Sequence, residues 1–310
     1  MPAPLVIILG PTASGKTQLA TNLAYHLDGE IISADSRQIF KNMDIGTGKD
    51  LGEYVVNDKV INHHLIDIKN AGEFYNVNAF KEDFYQAFSS ISEAGKLSIL
   101  CGGTGMYIHS ILQDQPYTAI PINESLRAEL IRLEKTELQS KLFTFDPKYT
   151  AHVDLNSNKR LIRAIEIASY LSVNKLEIKA RPEINPIVIG LTSDIEFRRE
   201  RILNRLEQRL ETGLIEEVER LLAKGVSADA LIFYGLEYKF VIAFLNKELG
   251  YEELKTRLGI AICQYAKRQM TFFRKMEKDG VNINWLNTEV GSVELLKQAK
   301  DLVKDCIDLA

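Results

Sequence analysis

The stretch Gly10-Pro11-Thr12-Ala13-Ser14-Gly15-Lys16-Thr17 decides the fold of this chain, because it has the form G-x-x-x-x-G-K-T and joins a predicted strand to a predicted helix. The apolar run 5–9 precedes it, and leucines at 19, 23 and 27 mark one helix face after it. Such a loop turns backbone N–H groups toward an anion, and the helix N-terminus adds its positive dipole end. Lys16 supplies a mobile positive charge, and the Thr17 hydroxyl can ligate Mg²⁺. The loop therefore predicts a site for a di- or triphosphate without specifying which one.

The apolar runs along the chain predict an α/β fold. Most of them are followed by a helical pattern, which is typical of a parallel sheet covered by helices on both faces. The predicted strands cover residues 5–9, 30–34, 97–102, 187–192 and 283–286. Together with the phosphate loop, they indicate a P-loop NTPase-like parallel sheet.

A segment with five prolines interrupts this alternation between positions 116 and 186, and its periodicity is helical. We therefore predict a helical insertion domain at residues 116–185. The catalytic core would consist of residues 1–115 and 186–310, and its last part is mostly helical and rich in Arg, Lys and Glu.

The composition is that of an ordinary globular protein, with 310 residues, 38 Lys and Arg, 42 Asp and Glu, and a net charge of −4. A nucleic-acid partner would therefore have to be recognised by local basic clusters. No secretory signal and no apolar run of membrane-spanning length is present. The cysteines (Cys101, Cys263 and Cys306) are far apart, which suggests a reducing compartment and argues against a zinc site. We expect a cytoplasmic protein with no membrane partner.

A carboxylate follows the second predicted strand, at Asp35. Ligands of open parallel sheets bind beyond the carboxyl ends of the strands, so Asp35 is expected near the phosphates, across from Lys16. It could be a general base for the group that attacks a bound phosphate ester, hold Mg²⁺ through water, or cap the structure that follows. Position alone leaves these roles open.

A second glycine-rich turn, 102–105, follows the third predicted strand and lets backbone approach a ligand closely. Its Thr104 stands where the next helix begins, and without further context we favour a plain helix cap. In the segment 63–67, Asp67 is a candidate for a Walker-B-like acid. The adjacent His63 and His64 would point to opposite sides of a strand, which argues against a shared metal site.

Three basic clusters lie in predicted helices, at residues 158–163, 197–209 and 264–275. The first and the third could be solvated helix faces, and they could instead contact the phosphate backbone of a nucleic acid. In the second cluster Arg205 and Arg209 share a helix face and could stabilise a leaving pyrophosphate. The alternative for this pair is local pairing with Glu207, Glu211 or their neighbours.

Nine segments, ordered along nearly the whole chain, resemble the tRNA dimethylallyltransferase family (tRNA isopentenyltransferases). They are residues 10–17, 32–38, 43–47, 63–67, 102–107, 159–163, 213–217, 265–269 and 284–286. The resemblance implies transfer of a dimethylallyl group from dimethylallyl diphosphate to the exocyclic amine of the adenosine 3′ of the anticodon, with release of diphosphate. The phosphate loop would hold the prenyl diphosphate with Mg²⁺, and the partner would be the anticodon arm of tRNA. We expect a monomer.

The resemblance also implies roles for individual residues. Asp35 would accept the proton of the adenine amine, and the other catalytic residues would be Lys16, Thr17, Thr104 and Arg205. The adenosine would leave its stack to reach them. The implied tRNA contacts, in the core and in an insertion that clamps the tRNA, are Asp35, Ser36, Arg37, Gln38, Thr104, Arg127, Lys159, Arg160, Leu161, Ile162, Arg163, Lys267 and Arg268.

The chain departs from the family pattern at three places. It has Gly48-Lys49-Asp50 where Ala-Lys-Pro is frequent, Gly235-Leu236-Glu237 where Gly-Tyr-Lys/Arg is usual, and Phe272 in place of a common Trp.

Three other functions are compatible with the phosphate loop. A small-molecule kinase would use the same loop, but the long basic helical segments exceed what a small acceptor requires. An adenylate isopentenyltransferase would run the same chemistry on free AMP, and the basic C-terminal half favours tRNA over it. A nucleotide switch would leave Asp35 and Thr104 without a function, and the N-K-x-D guanine signature is absent.

Overall fold

The computed structural model describes residues 2–113, 115–150, 153–177 and 179–308. The chain divides into two compact units, one formed by Met1–Gln113 with Pro182–Ala310 and the other by Asp114–Arg181. The predicted insertion, 116–185, begins two residues after the start of the second unit and ends four residues after its end.

The first unit is built on a parallel sheet. The strands are β1 (Ala3–Leu9), β2 (Gly29–Ser33), β3 (Val55–Val56), β4 (Lys59–Val60), β5 (His63–His64), β6 (Leu97–Gly102), β7 (Ile184–Thr192) and β8 (Asn284–Asn287). Six of them form one sheet in the order β5-β2-β6-β1-β7-β8, and every pair in it is parallel. Strands β3 and β4 form a separate antiparallel pair. The five predicted strands are confirmed, β6 with the predicted ends and the other four with shifted ends. Strands β3, β4 and β5 are too short to give a recognisable pattern.

The helices account for most of the remaining chain. They are α1 (Lys16–Leu27), α2 (Val77–Glu93), α3 (Gly105–Leu112), α4 (Glu124–Leu130), α5 (Lys135–Leu142), α6 (Pro147–Thr150), α7 (Asn158–Val173), α8 (Ile195–Glu211), α9 (Leu214–Ala223), α10 (Ala228–Tyr234), α11 (Leu236–Leu245), α12 (Tyr251–Lys278) and α13 (Ser292–Asp308). Among the described helices, none is both long and apolar enough to cross a membrane.

Helices cover both faces of the sheet because the side chains of β1 alternate between two apolar layers. Leu5, Ile7 and Leu9 belong to a core shared with α2, α3 and the end of α12. Val6 and Ile8 belong to a second core shared with α1 and α13. The predicted fold class, a P-loop NTPase-like sheet with helices on both faces, is therefore confirmed.

Two further apolar cores lie away from the sheet. Helices α8 to α12 enclose the first, in which Leu206, Val218, Tyr238 and Leu258 are buried. Helices α4, α5 and α7 enclose the second, inside the helical unit. The core enclosed by α8 to α12 matters for function, because it fixes α8, α11 and α12 beside the carboxyl ends of the strands.

Candidate active site

The phosphate loop connects β1 to α1 in the predicted geometry. Gly15 has a φ of 82° and directly precedes the first residue of α1, Lys16. The Lys16 ammonium donates to the Pro11 carbonyl at 2.7 Å and is thereby folded over the loop. Burial lowers the pKa of Lys16 to about 8, although the neighbouring Asp35 carboxylate opposes the shift. The side chain is thus a desolvated cation at a helix N-terminus, the environment in which an anion gains most from it.

Two cavities meet at this loop. The first, of about 400 Å³, is lined by the loop, the 35–38 turn, Gly103, the start of α11 and the middle of α12. The second, of about 810 Å³, is lined by the loop, the 49–53 segment and α8. Lys16, Thr17, Arg205 and Arg209 line both cavities. An anion bound at the loop would therefore face α8 as well as the first cavity.

Asp35 lies in a turn that follows β2 and lines the first cavity with Lys16. Its Oδ1 accepts a hydrogen bond from the Arg37 N–H at 2.9 Å. No helix begins here, so the capping alternative is realised as a turn rather than as a helix N-cap. The Arg37 N–H thus occupies one carboxylate oxygen of Asp35. The carboxylate also lines the cavity with Lys16, where a general base would be needed.

Thr104 occupies the N-cap position of α3, but its side chain makes no capping hydrogen bond. Its hydroxyl instead accepts from the Ser36 N–H at 3.0 Å and lies 3.3 Å from the Ser36 hydroxyl. The position of Thr104 as the helix N-cap is confirmed, but its hydroxyl does not cap the helix and instead ties the turn after β6 to the turn after β2. A side chain at Gly102 would overlap the Ala34 backbone, which explains the glycine at this close approach.

The remaining residues of the 35–38 turn are held from two sides. The Gln38 side chain is buried, accepts from the Ser33 hydroxyl at 2.9 Å and donates to the Gly48 carbonyl at 3.0 Å. The Arg37 guanidinium lies over the Phe233 ring, 5.4 Å from its centroid. Gln38 therefore fixes the 43–50 loop, while Arg37 is a half-buried cation at the cavity wall.

Arg205 and Arg209 of α8 do not form the local pairs considered from the sequence. Arg205 pairs with Asp50 and lies 3.4 Å from the Gly48 carbonyl. Arg209 pairs with Glu237, the first-turn carboxylate of α11, at 3.5 Å. Their partners thus come from other elements, and both guanidiniums are directed toward the cavities instead of along the surface of α8.

Three residues that position the site were missed by the sequence analysis, and one of them is Gln269. Its Oε1 accepts from the Thr12 N–H at 2.9 Å, and its Nε2 donates to the Gly103 carbonyl at 2.9 Å. Gln269 therefore joins the phosphate loop to the second glycine-rich turn. The segment 265–269 was recognised as part of the family pattern, and Gln269 shares the apolar face of α12 with Ile262 and Met276, but this position does not reveal its partners.

The other two missed residues, Glu217 and Lys49, hold the 43–50 loop. The Glu217 carboxylate accepts from three successive N–H groups, those of Asp44, Ile45 and Gly46, at 2.7–3.0 Å. The Lys49 ammonium is fully buried and contacts the Asp44 carboxylate at 2.6 Å and the Asp67 carboxylate. Asp67 is thus the partner of a buried lysine rather than a Walker-B acid. Glu217 and Lys49 thus fix the 43–50 loop from two sides, and this loop lines the second cavity.

A metal site made only of protein ligands is not found in the described part of the chain, where no three His, Cys, Asp or Glu side chains are close enough to share an ion.

His64, in β5, contacts the Glu30 carboxylate of β2 at 2.8 Å, and this carboxylate also accepts a hydrogen bond from Lys96 at 2.7 Å. These hydrogen bonds hold the pKa of Glu30 at about 2, against the effect of burial. This cluster fastens the edge strand to β2.

In the helical unit, the predicted tRNA contacts fall into two groups. Arg127 forms a two-point contact with the buried Glu166, at 2.9 and 2.6 Å, and Arg163 donates to the Ile120 carbonyl at 2.6 Å. The side chains of Leu161 and Ile162 belong to the apolar core of this unit. Lys159 and Arg160 are exposed, and Arg160 pairs with Asp154 at 2.5 Å.

The basic cluster of α12 also divides between cavity and solvent. Arg268 lines the first cavity, and its guanidinium lies 5.8 Å from the centroid of the Tyr265 ring. Lys267 is exposed. Helix α12 therefore presents one cation at the cavity wall and another on a different, solvent-facing side.

Comparison with known proteins accounts for this arrangement. A family model described as IPP transferase matches residues 38–276. A tRNA dimethylallyltransferase from Bacteroides fragilis is 45% identical over 301 residues, covering 97% of this chain and 98% of the relative. One from Porphyromonas gingivalis is 50% identical over 283 residues, covering 91% of this chain and 93% of the relative. The crystal structure of a tRNA isopentenylpyrophosphate transferase from Bacillus halodurans superposes with a TM-score of 0.71 at 32% identity, covering 99% of this chain and 98% of that one. With the phosphate loop and Asp35 at one cavity and similarity of this extent, the chain belongs to the IPP transferase family.

Proposed function

We propose that this chain is a tRNA dimethylallyltransferase, which transfers a dimethylallyl group from dimethylallyl diphosphate to the exocyclic amine of the adenosine 3′ of the anticodon. The observation that carries this proposal is that the phosphate loop and Asp35 line one cavity. A diphosphate at the loop and a proton acceptor facing it are the two groups that the reaction needs. The names of the relatives supply the same reaction class.

The residues of the cavity divide the chemistry between them. The bond from the dimethylallyl carbon to the diphosphate oxygen breaks, and its electron pair leaves with the diphosphate. The adenine nitrogen forms the new bond to that carbon and gives a proton to Asp35. Lys16 would exchange the Pro11 carbonyl for a diphosphate oxygen, and Arg205 would face the same charge from α8. Because Thr104 ties the Asp35 turn to the turn after β6, we assign it the role of orienting that turn.

A magnesium ion fits the residues of this site. Mg²⁺ is usually held by one or two protein oxygens together with phosphate oxygens and water, so it needs no cluster of acidic residues. The half-buried Thr17 lines both cavities beside Lys16 and would supply its hydroxyl. When bound, the ion would neutralise charge on the diphosphate as it leaves.

We propose that tRNA binds through its anticodon arm, with the target adenosine unstacked into the first cavity. The net charge of −4 means that this contact depends on local cations. Arg37 and Arg268 line the cavity, Lys267 is exposed on another face of α12, and Lys159 is exposed on the helical unit. We further propose that the protein acts as a cytoplasmic monomer.

A transfer assay tests the function directly. The protein, Mg²⁺ and labelled dimethylallyl diphosphate are mixed with an unmodified tRNA that carries adenosine 3′ of its anticodon, and parallel reactions contain AMP or ATP. We expect label in the tRNA alone. Label in AMP would instead identify an adenylate isopentenyltransferase. No transfer, combined with phosphorylation of a small acceptor by ATP, would identify a kinase.

A further inference from the structure

Arg209 shares a face of α8 with Arg205, but the reaction proposed above assigns no role to it. It lies one helical turn after Arg205 on α8, and its side chain is 12% exposed. It lines both cavities together with Lys16 and Thr17. A guanidinium in this position faces the loop at which the diphosphate would bind.

The hydrogen-bonding capacity of this guanidinium is largely unused. Its one ion-pair contact among the described residues is with Glu237 Oε1, at 3.5 Å. Its Nε is fully buried and has no acceptor in the described part of the chain. A guanidinium carries five N–H donors, and buried donors are rarely left without acceptors in folded proteins. Several N–H groups of Arg209 are therefore available to a ligand that occupies the cavities.

The surroundings indicate that this ligand is an anion. Burial lowers the pKa of Arg209, and the nearby Arg205 guanidinium lowers it further, so two like charges face the same space. The left-handed Gly48, with a φ of 63°, leaves room for both guanidiniums, because a side chain at this position would overlap Arg209 and Arg205. An anion with several oxygens would relieve the repulsion between the two guanidiniums and accept hydrogen bonds from both.

We propose that Arg209 is a second guanidinium ligand of the diphosphate, and that Glu237 is its counter-ion until the diphosphate arrives. The proposal rests on the proposed function, since it assumes that the phosphate loop holds a diphosphate. It assigns a partner to the buried Nε and gives Glu237 a function in the free protein. Glu237 is itself largely buried, and burial raises its pKa while Arg209 opposes that shift.

Binding of inorganic diphosphate in the presence of Mg²⁺, measured by titration calorimetry, tests the proposal without the transfer reaction. Replacement of Arg209 alone would leave a buried carboxylate unpaired, so the informative variant is Arg209→Met combined with Glu237→Gln. We expect it to unfold near the wild-type temperature and to bind diphosphate roughly 10- to 100-fold more weakly. The matched control is Arg199→Gln, an exposed arginine of the same helix whose partner is Glu196 at 3.7 Å. Glu237→Gln alone should bind diphosphate at least as tightly as the wild type.

The outcomes separate this proposal from the function on which it rests. A wild-type protein that does not bind diphosphate contradicts the proposed function itself. A wild type that binds, together with a folded double variant that binds equally well, contradicts only the role of Arg209. Equal weakening in Glu237→Gln and in the double variant would assign the effect to the carboxylate and would also contradict it. A reduced tRNA affinity with unchanged diphosphate affinity would place Arg209 at the RNA and overturn the proposal.

Discussion

The side-chain oxygen of Gln269 accepts a hydrogen bond from the Thr12 N–H at 2.9 Å, although the two residues are 257 positions apart. The amide nitrogen of the same side chain donates to the Gly103 carbonyl at 2.9 Å. Helix α12 thus connects the two glycine-rich turns that form the floor of the first cavity. The position of the phosphate loop relative to the second turn depends on one amide with both a donor and an acceptor.

The first prediction concerns this amide. Gln269→Glu keeps the acceptor for Thr12 but places a carboxylate oxygen against the Gly103 carbonyl, so one buried bond becomes a repulsion. We expect the transfer rate to fall roughly 10- to 100-fold, from a loss of about 1–3 kcal/mol. The control is Gln264→Glu, an exposed glutamine of the same helix, which should retain the wild-type rate. Equal rates for the two variants would show that the bridge does not organise the site.

The second prediction isolates proton transfer at Asp35. Asp35→Asn preserves an oxygen for the Arg37 N–H and removes the proton acceptor. We expect single-turnover transfer to fall about 10²- to 10⁴-fold, whereas diphosphate affinity should change by less than about threefold. Asp229→Asn, an exposed aspartate of α10, controls for the loss of one charge. A rate within a factor of two of the wild type would remove Asp35 from the role of base.

Much of this site can be predicted from the sequence, because its phosphate loop, Asp35 and the second glycine-rich turn follow strands with clear apolar patterns. What could not be predicted are partners that only the tertiary fold brings together. Gln269 meets Thr12, Glu217 meets the 44–46 backbone, and Arg209 meets Glu237 across different helices. A local pattern reports the face of a helix, and not which residue of another element lies opposite that face.

The third prediction concerns the pH dependence of diphosphate binding. Burial lowers the pKa of Lys16 from 10.5 to about 8 in the free protein, so the ammonium loses its proton as the pH rises through 8. Only the protonated form attracts the anion, so affinity should fall above pH 8, by up to about tenfold per pH unit, and binding there should take up protons. Lys16→Arg stays protonated and experiences the same titration of the ligand. The ratio of the wild-type affinity to the Lys16→Arg affinity should therefore fall between pH 8 and pH 9, and a constant ratio would contradict the prediction.

The fourth prediction concerns the stability of the 43–50 loop. Lys49 is fully buried between Asp44, Asp67 and the Phe40 carbonyl, which accepts from its ammonium at 2.8 Å. Lys49→Met leaves these acceptors without a cation, so we expect the free energy of unfolding to fall by about 3 kcal/mol. Lys59→Met is the control, because its pair with Asp28 is long, at 3.8 Å, and exposed, and its loss should cost less than about 1 kcal/mol. Denaturant unfolding of both variants measures the difference, and equal losses would show that the buried position of Lys49 is unimportant.

The last prediction concerns the cations that would contact tRNA. Lys267 is exposed on a face of α12 that does not line the first cavity, so its contact would be with a phosphate and independent of sequence. We expect Lys267→Ala to weaken tRNA binding and to reduce the slope of log affinity against log salt by about one. Lys224→Ala, at the end of α9, is the control for an exposed lysine and should leave the slope unchanged. Transfer to saturating tRNA should stay near the wild-type rate in both variants, because neither side chain reaches the reacting groups. An unchanged slope for Lys267→Ala would mean that this cation belongs to a solvated helix face, and tRNA binding would then have to depend on Arg268 and on the helical unit.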